Sequence, residues 1–328
     1  MPNSFYSNKN VLVTGGNGFV GTNLVKKLLE LNANVRVATT KADVNILDGV
    51  DYIETDLRNP DECLKIAAGV DVVFHLAAFG FGFGANLNIQ PQLFTNNVLM
   101  NTAMLDAAYR QRVAYYLFTS SIAVYDRGLT ALDDNAGIKF NDEPHGLEKY
   151  YAYAKRIGEI QCKTYYENYK MNIAVVRLSN PYGPYDTFDL EKSHVIPAFI
   201  LKASCDGDQF IVRGSGRPVR NFIFVEDVVE GMLLALEKYP VCDPLNLCSG
   251  RDTSILELAQ IILEKTGQIH KRITLDESYP DGVLNRTPLA DKARDKIGFS
   301  AQTTIQQGIE KTINWRRDNV LEKQASAH

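Results

Sequence analysis

The sequence is poor in the residues that build metal sites and disulfide frameworks. Its 328 residues include only five histidines and five cysteines, and no two cysteines form a CxxC pair. Neither a zinc site nor a small secreted disulfide scaffold is therefore indicated. Scattered thiols of this kind are typical of free cysteines in a reducing compartment. The cysteines are Cys63, Cys162, Cys205, Cys242 and Cys248.

An excess of positive charge and long apolar runs are also missing. The net charge is -4 and the pI is about 5.8. Because nucleic-acid binding needs a basic surface, we expect no nucleic-acid partner, although a local pocket can still hold a small anion. No apolar stretch reaches the roughly 20 residues of a membrane span, and the first residues lack the basic and apolar segments of a signal peptide. We therefore predict a cytoplasmic protein without a membrane partner.

Short apolar runs alternate with segments of helical periodicity over the first 180 residues. This alternation predicts an α/β fold with a doubly wound parallel Rossmann sheet. After Ser179, prolines interrupt the pattern. We predict a dinucleotide-binding domain at 1–180 and a smaller C-terminal substrate-binding domain at 181–328, with 220–240 returning to the first. The predicted strands are 10–14, 35–38, 52–54, 71–75, 115–119 and 172–178, and the main helices are 19–31, 96–110 and one that carries Tyr151 and ends near 169.

A glycine-rich turn follows the first predicted strand and opens the first predicted helix. Gly15 permits the tight turn, Gly18 lets the backbone approach a pyrophosphate, and Gly21 lets helix and strand pack closely. The first helical residues, Phe19 and Val20, then offer free N–H groups and the positive end of the helix dipole. This context predicts a dinucleotide site.

The end of the second strand bears on the choice between NAD and NADP. An NAD enzyme places a carboxylate there for the ribose hydroxyls. Thr39 and Thr40 occupy this region instead, with Lys41 next and Arg36 nearby. Without the acid, the 2′-phosphate of NADP would not be repelled, and Lys41 or Arg36 could pair with it. The residues favour NADP over NAD but leave both open.

Two further segments are predicted to contact the cofactor. Asp56 and Leu57 follow the third strand, where Asp56 can accept a hydrogen bond from the adenine amino group. Leu76, Ala77 and Ala78 follow the fourth strand, where small residues let the cofactor pass close to the sheet.

A proton-handling site is indicated by Ser121, Tyr151 and Lys155. Tyrosine has a reference pKa of about 10, too high for a base at neutral pH. Lys155 lies one helical turn from Tyr151, so its ammonium, together with an oxidised nicotinamide, would favour the phenolate. Tyr151 would then exchange a proton with a sugar hydroxyl while hydride moves at the same carbon. Ser121 would hydrogen-bond that oxygen, and Lys155 would also hold the nicotinamide ribose.

Taken together, these motifs resemble the extended short-chain dehydrogenase/reductase family, in particular its nucleotide-sugar epimerases and reductases. The resemblance implies that Asn97 contacts the cofactor and that Asn180, Arg220 and Arg286 bind the diphosphate of a sugar nucleotide, as guanidinium forks suit phosphate oxygens. The segments that carry it are 14–21 (TGGNGFVG), 75–78 (HLAA), 97–98, Ser121 with 124–125, Tyr151 with Lys155, 177–184 (RLSNPYGP) and 220–227 (RNFIFVED).

Within that family, Ile122 and Ala123 narrow the chemistry. The resemblance implies that 4,6-dehydratases carry an acidic pair at these two positions to move protons. In this chain neither Ile122 nor Ala123 has a side chain that can transfer a proton. The GDP-fucose synthase branch, which the chain resembles most through 97–100 and 193–198, has an epimerising cysteine at position 123 and a histidine at 194. His194 is present and the cysteine is not, so we expect 3,5-epimerisation to be lost or much reduced.

Hydride transfer at C4 of a hexose is what these residues leave intact. A 4-ketoreductase would use NADPH once, which Thr39 favours. A C4 epimerase resembling UDP-galactose 4-epimerase would retain NAD, which the missing cysteine favours. A non-catalytic cofactor-binding regulator is the alternative of another class. The resemblance favours a GDP-hexose as substrate, with UDP- or dTDP-hexose open.

Two expectations concern surfaces. The repeat FGFGFG at 79–84 is interpreted as a mobile loop over the sugar site, with core phenylalanines as the alternative. Family members often dimerise through a four-helix bundle, and the apolar residues Met100, Met104, Leu105 and Ala108 permit a homodimer of this kind.

Overall fold

The computed structural model describes residues 4–40, 47–80, 89–139, 141–144, 148–190, 192–279, 281 and 283–325. The strands are β1 (Asn10–Thr14), β2 (Asn34–Thr39), β3 (Asp51–Glu54), β4 (Val72–His75), β5 (Tyr115–Ser121), β6 (Ala131–Leu132), β7 (Asn172–Leu178), β8 (Asn180–Tyr182), β9 (Gln209–Arg213), β10 (Val219–Phe224), β11 (Leu245–Leu247), β12 (Asp252–Ser254), β13 (Arg272–Asp276) and β14 (Asn285–Pro288). The helices are α1 (Phe19–Glu30), α2 (Pro60–Ala67), α3 (Gln90–Arg110), α4 (Lys149–Tyr169), α5 (Val195–Ala203), α6 (Val225–Lys238), α7 (Ile255–Lys265), α8 (Asp291–Ile297) and α9 (Ile305–Ala325).

Seven parallel strands form the large sheet, in the order β11-β7-β5-β4-β1-β2-β3. Side chains alternate across it, as the twofold period of a strand requires. Val11 and Val13 join a layer with α1 and α6, whereas Leu12 joins the opposite layer with α2, α3 and α4. Both faces are covered, which explains the nearly continuous apolar runs. The predicted doubly wound α/β Rossmann sheet is confirmed.

The strand order reverses between β1 and β4. The chain runs outward from β1 through β2 to β3, and then crosses back to β4, β5 and β7. A crevice opens outside the carboxyl ends of the strands at such a reversal, and ligands of open α/β sheets bind there. The glycine-rich turn follows β1 and the HLAA segment ends β4, so both lie at this crevice.

Among the elements that are longer than the sequence pattern predicted, the third helix and the fifth strand bear on the site. The third helix begins at Gln90 rather than at residue 96, and Pro91 stands in its first turn, where its missing N–H costs nothing. The fifth strand continues to Ser121 instead of ending at Thr119. Its last pair, Ser121 with Leu178, keeps the strand extended up to the serine that the sequence predicts at the proton-handling site.

Beyond residue 180 the chain builds a smaller unit around β10. This strand lies in the order β12-β10-β14-β6 and also pairs with β8, while β9 and β13 form a separate parallel pair. The unit has its own apolar layer from α5, α7 and α9. Each unit includes segments from both sides of residue 180. β6 precedes residue 180 but pairs with β14 of the smaller unit. Conversely, α6 packs on α1 and β11 completes the large sheet, so the part of the chain that returns to the large sheet extends past residue 240.

Replacing Gly21 by alanine should destabilise the fold by about 1–3 kcal/mol, because an added methyl group overpacks the turn. A Cβ at Gly21 would lie 2.1 Å from the Gly15 carbonyl oxygen and 2.7 Å from the Gly16 Cα. Urea unfolding measures the loss. Gly137→Ala is the control, since a Cβ there meets no atom within 4 Å. Equal stability of the two variants would mean that helix and turn are not in contact.

Candidate active site

Three glycines shape the glycine-rich turn. Gly15 has a φ of +68°, a conformation that favours glycine, and a Cβ there would lie 3.1 Å from the Ala77 backbone. Gly16, which sequence reasoning passed over, lies against the Val37 side chain, where a Cβ would come within 2.6 Å. Gly18 is the N-cap of α1 and offers no capping side chain. The first residues of α1 line the crevice, and a helix start without a capping side chain is suited to anion binding.

The ends of β1 and β4 are tied together by the hydroxyl of Thr14. This oxygen accepts a hydrogen bond from the Ala77 N–H at 3.1 Å and lies 2.8 Å from Nδ1 of His75. Because Asn101 Oδ1 can only accept, Nε2 of His75 carries the proton and donates to it at 3.0 Å, and Nδ1 accepts from the Thr14 hydroxyl. Burial, and next the charge of Lys155, lowers the pKa of His75 to about 3. His75 is thus a neutral structural link at the crevice.

A cavity of about 950 Å³ occupies the crevice. It extends from the glycine-rich turn along the ends of β2, β3 and β4. Lys41 lies outside the described residues. Asn96, Met100 and Arg58 also line the cavity and were not predicted. The predicted cofactor residues found on its wall are Gly15, Gly18, Phe19, Val20, Gly21, Thr39, Asp56, Leu57, Leu76, Ala77 and Ala78.

Three residues at the far end of the cavity bear on cofactor choice. Thr39 is buried at the end of β2 and no acid stands beside it on that strand. Asp56 holds Arg58 at 2.6 Å, and this contact lowers the pKa of the Asp56 carboxyl. Arg36, considered as a partner for a 2′-phosphate, instead pairs with Asp51 at 3.2 Å and donates to the Ile66 carbonyl. Among the described residues, Arg58 is therefore the cationic side chain that lines this end of the cavity.

Asn97 does not lie on the cavity wall. It is fully buried and its amide binds both backbone groups of Phe79, accepting from the N–H at 3.0 Å and donating to the carbonyl at 2.8 Å. It also donates to the Leu93 carbonyl. The side chain thus fastens the chain after β4 to α3. The repeat at 79–84 lies outside the described residues from position 81 on.

Tyr151 and Lys155 are brought together on α4, beside the end of β5. The Lys155 ammonium is buried, donates to the Thr119 carbonyl at 2.7 Å and lies 5.7 Å from the centre of the Tyr151 ring. Ser121 ends β5, and its Oγ accepts a hydrogen bond from Ala123 N at 3.1 Å. That bond begins a single 3₁₀ turn, Ile122–Val124, in which Ile122 and Ala123 are buried.

The pKa values of both members of this pair are shifted. Burial, and next the negative charge of Glu148, raises the pKa of Tyr151 above its usual value. Burial also lowers the pKa of Lys155 to about 8. These shifts favour the protonated phenol of Tyr151, the form that can donate a proton. The phenolate expected beside Lys155 and an oxidised nicotinamide stays a prediction.

His194 and Asn180 lie on the other side of the site, in the smaller unit. His194 is the N-cap of α5, and its Nδ1 lies 3.9 Å from the buried Asp186 carboxylate, which raises the pKa of the imidazole. Asp186 was not singled out in the sequence. The Asn180 amide donates to the Asn221 carbonyl at 2.9 Å and, at the longer distance of 3.4 Å, to the Ser179 hydroxyl.

Arg220 and Arg286 stand side by side on paired strands, in register between β10 and β14. Arg220 donates to the Val219 and Val283 carbonyls. Arg286 donates to Glu148 at 2.7 Å and to the Ile122 carbonyl at 2.9 Å. One of the two predicted phosphate ligands, Arg286, thus reaches the turn that follows Ser121, and it is paired there with Glu148, which the sequence did not reveal.

Two further properties concern the described residues only. No three acidic, histidine or cysteine side chains among them come together as metal ligands. No helix in this part of the chain combines the length and apolar character of a membrane span.

Comparison with family models places the chain in a known group. The model of the NAD dependent epimerase/dehydratase family matches residues 11–248. GDP-mannose 3,5-epimerase 1 of Oryza sativa subsp. japonica is 28% identical over 317 residues, or 94% of this chain and 82% of that protein. The dTDP-4-dehydro-6-deoxy-D-allose reductase of a Streptomyces species is 29% identical over 329 residues, or 95% and 97%.

Solved structures agree in fold over nearly the whole chain. A GDP-L-fucose synthetase from Naegleria fowleri bound to NADP has a TM-score of 0.83 at 25% identity, covering 97% of this chain and 95% of that one. The Bordetella bronchiseptica enzyme WbmF in complex with NAD+ has a TM-score of 0.79 at 29% identity, covering 99% of both chains. Relatives of this fold thus hold either cofactor.

Thr39→Asp should weaken NADPH binding about tenfold relative to NADH, or by about 1.4 kcal/mol, because the new carboxylate repels a 2′-phosphate. Titration calorimetry with both cofactors measures the ratio. Asn34→Asp adds the same charge at the exposed opposite end of β2 and should leave it unchanged. An unaltered ratio in Thr39→Asp would show that the end of β2 does not face the adenosine ribose.

Proposed function

The chain belongs to the NAD dependent epimerase/dehydratase family, and from that premise we propose that it reduces the 4-keto group of a nucleotide-linked hexose with NADPH. The observation that carries the proposal is the pairing of Tyr151 with the buried ammonium of Lys155 beside the end of β5. This pair can serve hydride transfer at a sugar carbon, and the adjacent crevice has the size and the anion-binding turn for a dinucleotide.

Tyr151 is the proton donor in this reaction. Its phenol, protonated because burial raises the pKa, gives its proton to the oxygen on C4. Ser121 hydrogen-bonds the same oxygen, and Lys155 orients the nicotinamide ribose. The bound cofactor supplies the hydride. Thr39 supports NADPH as that cofactor, since the end of β2 carries no acid to repel a 2′-phosphate.

Reduction without epimerisation is supported by the 3₁₀ turn after Ser121. Ile122 and Ala123 are buried and apolar, so neither can remove a proton from C3 or C5. Because position 123 is an alanine, His194 lacks the cysteine with which it would epimerise the sugar, and we propose that it orients the hexose instead. The similar Streptomyces protein, named as a reductase of a 4-dehydro sugar, supports the same chemistry.

The nucleotide is proposed to be GDP, bound through its diphosphate by Asn180, Arg220 and Arg286. Similarity to a GDP-mannose 3,5-epimerase and to a GDP-L-fucose synthetase supports guanine. Similarity to the Streptomyces reductase, whose name gives a dTDP sugar, keeps thymine as the alternative base.

A C4 epimerase with retained NAD is the second candidate. Similarity to WbmF, solved with NAD+, supports it. An epimerase must first take a proton from the C4 hydroxyl, for which Tyr151 has to be a phenolate. The raised pKa of Tyr151 disfavours that first step until a cationic nicotinamide lies beside the ring. A non-catalytic regulator would not need Ser121, Tyr151 and Lys155 to be intact.

Tyr151→Phe should lower turnover of a nucleotide-linked 4-keto-6-deoxyhexose by about 100-fold or more, because the proton donor is lost. NADPH oxidation with GDP-, dTDP- and UDP-linked substrates measures it, and the Kd of NADPH should change little. Tyr150→Phe, on the exposed side of the same helix, is the control. Full turnover in Tyr151→Phe would remove the assigned donor, whereas bound NAD and no NADPH consumption would favour the epimerase.

The homodimer is proposed through the outer side of α3 and α4, with a correction to its residues. Met104, Leu105 and Ala108 are buried in the core of the chain itself and cannot reach a partner. Met100 is partly buried against that core and lines the crevice. The apolar side chains that α3 and α4 leave exposed are Leu99, Tyr109, Tyr150, Ile160 and Tyr169.

Ile160→Lys should convert the dimer into a monomer, since a charge would be buried in the interface. Ile160 is 48% exposed in the single chain. Light scattering on a sizing column measures the mass. Ile269→Lys changes a residue that is 75% exposed between α7 and β13, away from both helices, and should have no effect. A dimer that survives Ile160→Lys would exclude this face.

A further inference from the structure

Glu148 connects two parts of the site that have different tasks. It stands just before α4, three residues from Tyr151, and its carboxylate accepts a hydrogen bond from Arg286 at 2.7 Å. Arg286 belongs to β14 in the smaller unit. The contact therefore spans the site from the helix of the proton donor to the strand of the proposed phosphate ligands.

The charges around Glu148 do not balance. Arg220 and Arg286 are neighbours in register, and the pKa of Arg220 is lowered by burial and by the charge of Arg286. The Arg286 side chain is only 13% exposed, and Glu148 is 35% exposed. One carboxylate thus faces two adjacent guanidinium groups. These three described groups together carry a net positive charge, which attracts an anion.

We propose that Glu148 is the internal counter-ion of the phosphate-binding arginines, so that its carboxylate occupies Arg286 in the empty site and competes with the diphosphate of the substrate. The inference rests on the proposed function, because it takes the incoming anion to be a sugar nucleotide. It assigns Glu148 a role in substrate affinity, as a positioning residue that acts through Arg286.

The hydrogen bonds of Arg286 explain why Glu148 should compete with the phosphate more than it helps to hold the arginine in place. A guanidinium has five N–H donors, and its second described bond goes to the Ile122 carbonyl. That backbone contact holds the arginine in place without Glu148. A phosphate that approaches Arg286 meets the Glu148 carboxylate at close range, and two anions in a half-buried site repel each other with little screening. Loss of the carboxylate charge should therefore help the ligand more than it harms the arginine.

Glu148→Gln tests this directly, because glutamine keeps the shape and the oxygen acceptor and removes only the charge. We expect the variant to bind GDP, dTDP or UDP about tenfold more tightly than the wild type, by titration calorimetry with NADP present. Glu148→Asp retains the charge and should restore the weaker binding. Glu143→Gln is the matched control, since Glu143 lies in the same segment but pairs with Lys149 at 2.6 Å.

A gain in affinity is a readout that damage to the fold cannot give. Unchanged or weaker nucleoside diphosphate binding in Glu148→Gln, with normal NADP binding, would overturn the inference and leave the proposed function standing. A wild-type protein that binds NADP but none of the three nucleoside diphosphates would overturn the proposed substrate class itself, and the inference with it.

Discussion

The close approach between the ends of β1 and β4 is the constraint on which the geometry of the site depends. A side chain at Gly15 would collide with Ala77, and the Thr14 hydroxyl joins the two strands through Ala77 and His75. Because the chain leaves these strands in opposite directions, the space beyond them becomes the crevice. The next strand, β5, lies about 4.8 Å away and holds Lys155 through the Thr119 carbonyl. Strand spacing thereby sets the distance between the crevice and Lys155.

Much of this architecture could be predicted from local sequence patterns, because those patterns follow directly from the periodicities of the β-strand and the α-helix. A strand buried on both faces must be a continuous apolar run, as Val11, Leu12 and Val13 are. A spacing of four residues must place Tyr151 and Lys155 on one side of a helix. The raised pKa of Tyr151 could not be predicted in the same way, since burial and the charge of Glu148 cause it and both depend on tertiary packing.

Contacts between distant parts of the chain were beyond prediction for a related reason. Glu148 and Arg286 are 138 positions apart, and no local spacing connects them. Asp186 reaches His194 only because the chain between β8 and α5 folds back on itself. Met104 and Leu105 have the apolar character of an interface, but α3 turns them inward against the sheet. In each case the residue type was visible and its partner was not.

The crossed strand pairings have a consequence for how the chain assembles. β6 pairs with β14, more than 150 positions later, and β11 adds the last strand of the large sheet after much of the smaller unit has been passed. During synthesis from the amino end, the early strands wait for these late segments, and their edges stay open meanwhile. Such non-local pairing makes folding slow. It also means that neither unit can be cut out at residue 180 as an independent fragment, since each would leave a strand of the other unpaired.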